Sequence, residues 1–306
     1  MTTNTKPRLV VVVGPTGSGK TDLAVALAVH YGAPVVSADS RQIYRGLAIG
    51  TAQPDSEQLR AAEHHFIASH DIDEDFNCGQ YEVQALALLE RLFSRHDTVI
   101  AAGGSGLYVK ALCEGLDDLP AADQQLRERL TRRMADEGVA VLAEELRQLD
   151  PEYYATVDRC NPARVQRALE VCIQTGRPYS QQRSGVQRRR PFDIIKIGID
   201  LPREVLYDRI DRRVDAMMEA GLEQEARSVC EYRHLNSLQT VGYKEMFDYF
   251  DGRTSLDEAV QLIKRNTRRY AKRQLTWFRR DEQIRWFRPD EREAIFDWIE
   301  RREIKN

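Results

Sequence analysis

Residues 14–21 read GPTGSGKT and stand between an apolar run, RLVVVV at 8–13, and a helical pattern, TDLAVALAVHY at 21–31. No other feature limits the possible folds as much. A β-branched run closed by Gly14 and Pro15 reads as a buried parallel strand ending in a tight loop. Leu23 and Leu27, with Ala24 and Ala28, recur at helical spacing, and Gly32 stops that helix. The pattern between them, GxxxxGKT, is a phosphate cradle. Its glycines let backbone N–H groups point into one concavity, and the helix N-terminus adds the positive end of its dipole. Lys20 supplies a mobile charge, and the Thr21 hydroxyl can hold Mg²⁺. Gly14, Pro15, Thr16, Gly17, Ser18, Gly19, Lys20 and Thr21 are therefore candidate phosphate- or pyrophosphate-binding residues. The loop accepts the β- and γ-phosphates of ATP as readily as another pyrophosphate.

Further strands are expected at 34–38, at 98–101 after a helix over 80–93, and at 193–201 (DIIKIGIDL). The 98–101 strand runs into the glycine-rich turn Gly103, Gly104, Ser105, Gly106. Strands alternating with helices imply an α/β fold: a P-loop NTPase-like parallel sheet flanked by helices. From about 117 to 190 glycine becomes scarce and charged stretches such as LRERLTRRMADEG dominate, which reads as an α-helical insertion. The expected division is 1–116 for the first part of the core, 117–190 for the insertion, and 191–306 for completion of the core with basic C-terminal helices. With 306 residues, 42% of them hydrophobic, the chain can bury a full core without staples.

The five cysteines show neither CxxC nor a metal-ligand spacing, the N-terminus MTTNTKPR lacks an apolar leader, and no apolar stretch is long enough to span a membrane. A cytoplasmic, soluble monomer is the expectation, with no membrane partner. A net charge of −3 argues weakly against nucleic acid, but the distribution argues for it. Residues 264–280, KRNTRRYAKRQLTWFRR, carry eight Lys or Arg and no acid, and a second basic run stands at Arg188, Arg189 and Arg190. Arg265, Arg269 and Lys272 fall along one side, with Tyr270, Trp277 and Phe278 interleaved. Phosphate contacts plus stacking explain that stripe, although aromatic residues at helical spacing are more often core anchors than stacking platforms.

Directly after the second strand comes SADSRQIY at 37–44. Strand carboxyl ends line the ligand crevice of an open parallel sheet, so Asp39 is placed to bind Mg²⁺, to act as a base, or merely to cap its own turn. GPTGSGKT, SADSRQIY, GGSGLY and RVQRALEV occur here in the order seen in tRNA dimethylallyltransferases, which the chain thus resembles. DPEYY near 150, the stretch Leu206–Gly221 with Arg209, Arg213 and Met217, and TVGYKE at 240 extend the resemblance, which fades after about 280. Gly17 stands where that family often has Ala, Ser105 where it often has Thr, and DRCNPARV where HPND is common.

The resemblance implies transfer of a dimethylallyl group from dimethylallyl pyrophosphate to the N6 amine of the adenosine 3′-adjacent to the anticodon. The tRNAs are those reading codons that begin with U; the products are N6-isopentenyladenosine and pyrophosphate. It makes Asp39 the base and adds Arg213 to the pyrophosphate residues, with Mg²⁺ as cofactor. Contacts to the tRNA anticodon stem-loop are implied at Asp39, Ser40, Arg41 and Gln42, and at Ser105 and Arg127. They are implied also at Ala163, Arg164, Val165, Gln166 and Arg167, and at Thr240, Val241, Gly242, Tyr243 and Lys244. Residue chemistry fits: Gln42 and Gln166 suit adenine-edge reading, and a guanidinium can grip two phosphate oxygens, although Arg213 could equally pair with Asp211 or Asp215 on its own helix. The rival is a P-loop small-molecule or nucleotide kinase, which needs neither the long basic helix nor the SADSRQIY and GGSGLY motifs.

Overall fold

The computed structural model describes residues 6–183, 185 and 187–303. The leader reading on residues 1–5, and positions 184 and 186 of the basic stretch before Arg188, lie outside the described residues. The chain forms two compact units, Met1–Glu114 with Arg189–Asn306, and Gly115–Arg188.

In the first unit, six strands form one wholly parallel sheet: β1 (Arg8–Val13), β2 (Val35–Ser37), β3 (His64–His65), β4 (Thr98–Gly103), β5 (Asp193–Ile199) and β6 (Arg285–Phe287). Their order across the sheet is β3-β2-β4-β1-β5-β6. β1 is central and apolar from Leu9 to Val13 because both of its faces are covered. Val10 and Val12 pack with Leu23 and Leu27 of α1 (Lys20–Tyr31), while Leu9, Val11 and Val13 belong to the core on the other face. That second core takes residues from α3 (Cys78–Phe93) and α4 (Gly106–Glu114), with α2 (Ser56–Ala61) preceding them in the chain. β3 and β6, two and three residues long, carry no alternating apolar run and were not foreseen.

The second unit is helical: α5 (Gln124–Glu137), α6 (Val139–Leu149), α7 (Pro151–Thr156), α8 (Pro162–Thr175) and α9 (Tyr179–Gln182). It has its own core around Leu126, Leu130, Leu142, Leu146, Val165 and Leu169. DPEYY is structural here. Buried Asp150 caps α7 by accepting from Tyr153 N at 2.9 Å and also takes Ser180 N and Oγ at 2.6 and 2.9 Å, while Pro151 occupies the first helical turn.

The first unit continues with α10 (Arg203–Glu219), α11 (Leu222–Ser228), α12 (Tyr243–Phe250), α13 (Leu256–Phe278) and α14 (Arg292–Glu303). α13 starts at a Ser255/Glu258 capping box and buries Ala259, Ile263, Ala271, Gln274 and Phe278 along one face. No described helix is long and apolar enough to cross a membrane.

Candidate active site

The phosphate loop leaves β1 at Val13 and enters α1 at Lys20. Gly17 and Gly19 take φ of +82° and +88°, a conformation in which a β-carbon is strained. No side chain caps the start of α1, so its first N–H groups remain available to an anion. The Thr21 hydroxyl makes no hydrogen bond among the described residues. Thr16 is held twice: its N–H donates to Gln274 Oε1 at 2.9 Å, and its hydroxyl accepts from Arg213 Nη1 at 3.2 Å. The alternative helix pairing for Arg213 does not form, because Asp211 and Asp215 pair with Arg268 and Lys264 of α13.

Sheet order decides what faces this loop. β4 lies between β1 and β2, so the GGSG turn after β4 stands between the phosphate loop and the Asp39 turn after β2. The contacts are tight. A β-carbon on Gly103 would lie 2.1 Å from Ala38 O, one on Gly104 2.1 Å from Gln274 Nε2, and one on Gly106 2.2 Å from Trp277. Close packing, and not chain flexibility, thus accounts for the glycines of GGSGLY. Ser105 ties the turns together, since its N–H donates to Ala38 O at 3.2 Å and its hydroxyl accepts from Ser40 N at 2.9 Å. Asp39 accepts from Arg41 N at 3.0 Å through one oxygen, an Asx turn, so the capping role exists; its second oxygen has no hydrogen bond among the described residues.

Electrostatics set Asp39 against two cations. Burial lowers the Lys20 ammonium to about 8, with Arg213 adding to the shift and Asp39 opposing it. Burial lowers the Arg213 guanidinium as well, again against the pull of Asp39. Tyr270, pushed up to about 12 by burial first and by Asp39 second, remains a neutral phenol. Asp39, Ser40, Arg41, Arg213, Tyr270 and Gln274 line a cavity of about 700 Å³. Thr240, Val241, Gly242 and Lys244 line it too.

Some expected contacts are already occupied. The Gln42 amide donates to Ala52 O at 2.7 Å and Thr51 O at 3.3 Å, leaving no free donor for an adenine edge. Arg41 is pinned by Nη1 to Asn236 O at 2.6 Å. Tyr243 is fully buried, its hydroxyl donating at 2.6 Å to Glu225, which also receives Ile49 N and Gly50 N; it anchors the 47–52 loop and does not face the cavity. In the helical unit, Val165 is wholly buried, so its side chain offers RNA nothing. Arg127 pairs in two-pronged fashion with buried Glu170 at 2.8 and 3.0 Å, and Arg167 approaches the same carboxylate at 3.4 Å. Gln166 donates to Thr131 Oγ1 and Arg127 O. Ala163 and Arg164 are exposed.

The basic stripe divides. Arg265, Arg269 and Arg273, at four-residue spacing, line the cavity and pair with no carboxylate among the described residues. Lys272, expected on that side, lines a separate hollow with Leu201 and Tyr207. Phe278 is a core anchor. Gln274 and Arg273 were missed. The signal for Gln274 is a carboxamide on the otherwise apolar stripe Ile263, Ala271, Phe278.

A family model described as IPP transferase matches residues 42–281. A tRNA dimethylallyltransferase of Cytophaga hutchinsonii is 53% identical over 275 residues, covering 90% of each chain. Another, from Phocaeicola vulgatus, is 51% identical over 95% of this chain and 97% of its own. Among solved structures, the tRNA isopentenylpyrophosphate transferase of Bacillus halodurans aligns with a TM-score of 0.72 and 38% identity over 98% of both chains. A eukaryotic dimethylallyltransferase acting on tRNA aligns at 0.75 with 26% identity, over 89% of this chain and 70% of that one. A match over most of the sequence, with half-identical relatives of the same length, sets the kinase reading aside: the chain belongs to the IPP transferase family.

Proposed function

We propose that this chain transfers the dimethylallyl group of dimethylallyl pyrophosphate to the N6 amine of the adenosine beside the anticodon in tRNA. The observation that carries the reading is a pair of half-buried cations, Lys20 and Arg213, that form no ion pair among the described residues and lie beside a cavity that also presents Asp39. The allylic carbon–oxygen bond breaks, the N6–carbon bond forms, and the N6 proton passes to Asp39. Pyrophosphate leaves with the electron pair. Growing charge on the departing oxygens falls to Lys20, Arg213 and the loop amides, donors fixed before the reaction begins. The amine is a weak nucleophile because its lone pair is delocalised into the ring, so a base taking its proton raises the rate.

Mg²⁺ fits this site better than a metal needing a protein cage. No group of three or more His, Cys, Asp or Glu suited to a metal occurs among the described residues, and Mg²⁺ keeps its waters and takes phosphate oxygens beside one or two protein ligands. The Thr21 hydroxyl would hold it, and it would neutralise part of the pyrophosphate charge. Arg265, Arg269 and Arg273 supply unpaired charge for an RNA backbone at the same cavity. A base splayed out of the anticodon loop, the usual target of sequence-specific RNA readers, would enter there. Among the described residues, exposed Arg164 and Lys244, and Thr240 at the cavity, are further expected contacts whose side chains make no hydrogen bond.

The test is incubation with Mg²⁺, dimethylallyl pyrophosphate and unmodified tRNA bearing an adenine run beside the anticodon, with ATP in place of the donor as control. Digestion and mass analysis should find N6-isopentenyladenosine from the prenyl donor alone. Asp39→Ala should cut the rate about 10²–10⁴-fold with the fold intact. Absence of the prenylated nucleoside with several tRNAs, alongside ATP consumption, would sink the reading.

A further inference from the structure

Gln274 is buried, and its carboxamide bridges segments 170 and 258 residues away. Its oxygen accepts from Thr16 N in the phosphate loop, and its nitrogen donates to Gly104 O in the turn after β4, each at 2.9 Å. Gly104 leads into Ser105, whose hydroxyl holds the backbone of Ser40 next to Asp39. Thr16 in turn carries Arg213. One carboxamide therefore sits between the loop that takes the donor pyrophosphate and the turn that carries the base. An apolar residue of the same size would leave a buried N–H and C=O unpaired, and no β-carbon fits at Gly104 while this amide is there.

From these contacts we infer that Gln274 is a positioning residue for the reaction: it fixes the spacing between the pyrophosphate cradle and Asp39, without touching the reacting atoms. The inference rests on the prenyl-transfer reading. Displacing a catalytic group by an ångström costs about 10²-fold in rate, so loss of the bridge should appear in kcat more than in the KM of either substrate.

Two variants test it. Gln274→Leu removes both hydrogen bonds. Gln274→Glu keeps the acceptor for Thr16 N but, when ionised, sets a carboxylate against Gly104 O; once protonated it restores the donor and reproduces the amide. Binding-competent sites are first counted by calorimetric titration with Mg²⁺ and inorganic pyrophosphate, and kcat is expressed per site, so partial unfolding does not count as slow chemistry. Gln274→Leu should lose about 10- to 100-fold in kcat with both KM values within about threefold. The ratio of Gln274→Glu to unaltered activity should rise as pH falls from about 8 toward 5.5, as a buried carboxyl facing a carbonyl takes up its proton, while the leucine ratio stays flat. Asp39, Arg213, Tyr270 and Arg273 line the same cavity, but they are present in both proteins, so their contribution cancels in the ratio. A leucine variant with full kcat, or a glutamate variant whose ratio ignores pH, overturns the inference; if the leucine variant does not fold, the glutamate ratio decides. An unaltered enzyme that makes no prenylated product overturns the function reading first, and this inference with it.

Discussion

Two sets of basic side chains are partly withdrawn from solvent in this protein, and they keep opposite company. In the helical unit, Arg127 and Arg167 close on Glu170, a carboxylate only 1% exposed. The core unit has matching cases: Lys196 sits between Glu114 and Asp281 at 2.8 and 2.6 Å, and Arg190 meets Glu82 at 2.8 Å. At the phosphate loop, among the described residues, Lys20 reaches only the Pro15 carbonyl, at 3.5 Å, and Arg213 a threonine hydroxyl. A buried charge is costly unless paired. Arginines that bring their counter-ion with them are part of the architecture, whereas in the proposed reaction the cations without one take the donor pyrophosphate.

The largest effect should come from the unpaired set. Lys20→Met and Arg213→Met should each lower prenyl transfer about 10²–10³-fold, the scale on which fixed donors to a charged transition state act. Ligand-free thermal stability should stay level or rise, because a half-buried charge without an ion-pair partner among the described residues has been removed. Melting points that fall together with activity would break the comparison.

The paired set should behave the other way. Arg127→Met leaves Glu170 buried with only the longer Arg167 contact, and should cost about 1–2 kcal/mol in unfolding experiments, a modest figure because Arg127 is 40% exposed. A rise in the KM for tRNA at unchanged stability would instead make Arg127 chiefly an RNA contact.

What could be read beforehand follows the same division. Strands β1, β4 and β5 and the loop 14–21 were legible because backbone chemistry dictates them: apolar runs buried on both faces, then glycines where N–H groups must converge. The position of Asp39 beside the phosphate loop was legible from its place after a strand. Which side chains were already occupied was not, since Gln42, Tyr243 and Arg127 meet partners fixed only by tertiary structure. The helical spacing of 264–280 gave the stripe but misjudged its edge, putting Lys272 where Arg273 stands. Gln274 escaped because a single polar residue on an apolar face announces a partner without naming it.

The smallest expected effect is also the most direct measure of an unanswered charge. Lys20 holds its proton less tightly in the folded chain, at about 8 against an ordinary 10.5. Between those values the unfolded chain binds more protons, so stability rises with pH across that window, and the cost of the buried ammonium is present in full below it. Pyrophosphate needs the ammonium form and restores its pKa. Binding at about pH 8.5 should therefore draw in a fraction of a proton, and affinity should weaken as pH climbs through 8. Calorimetry in two buffers of different ionisation enthalpy reads that uptake directly. The difference should shrink at about pH 6.5, where Lys20 is already charged, and the Lys20 share should vanish in Lys20→Met, while pyrophosphate's own titration persists in both proteins. An uptake identical with and without Lys20 would mean that its charge is already answered within the free protein, and the contrast with Arg127 would fail at its first member.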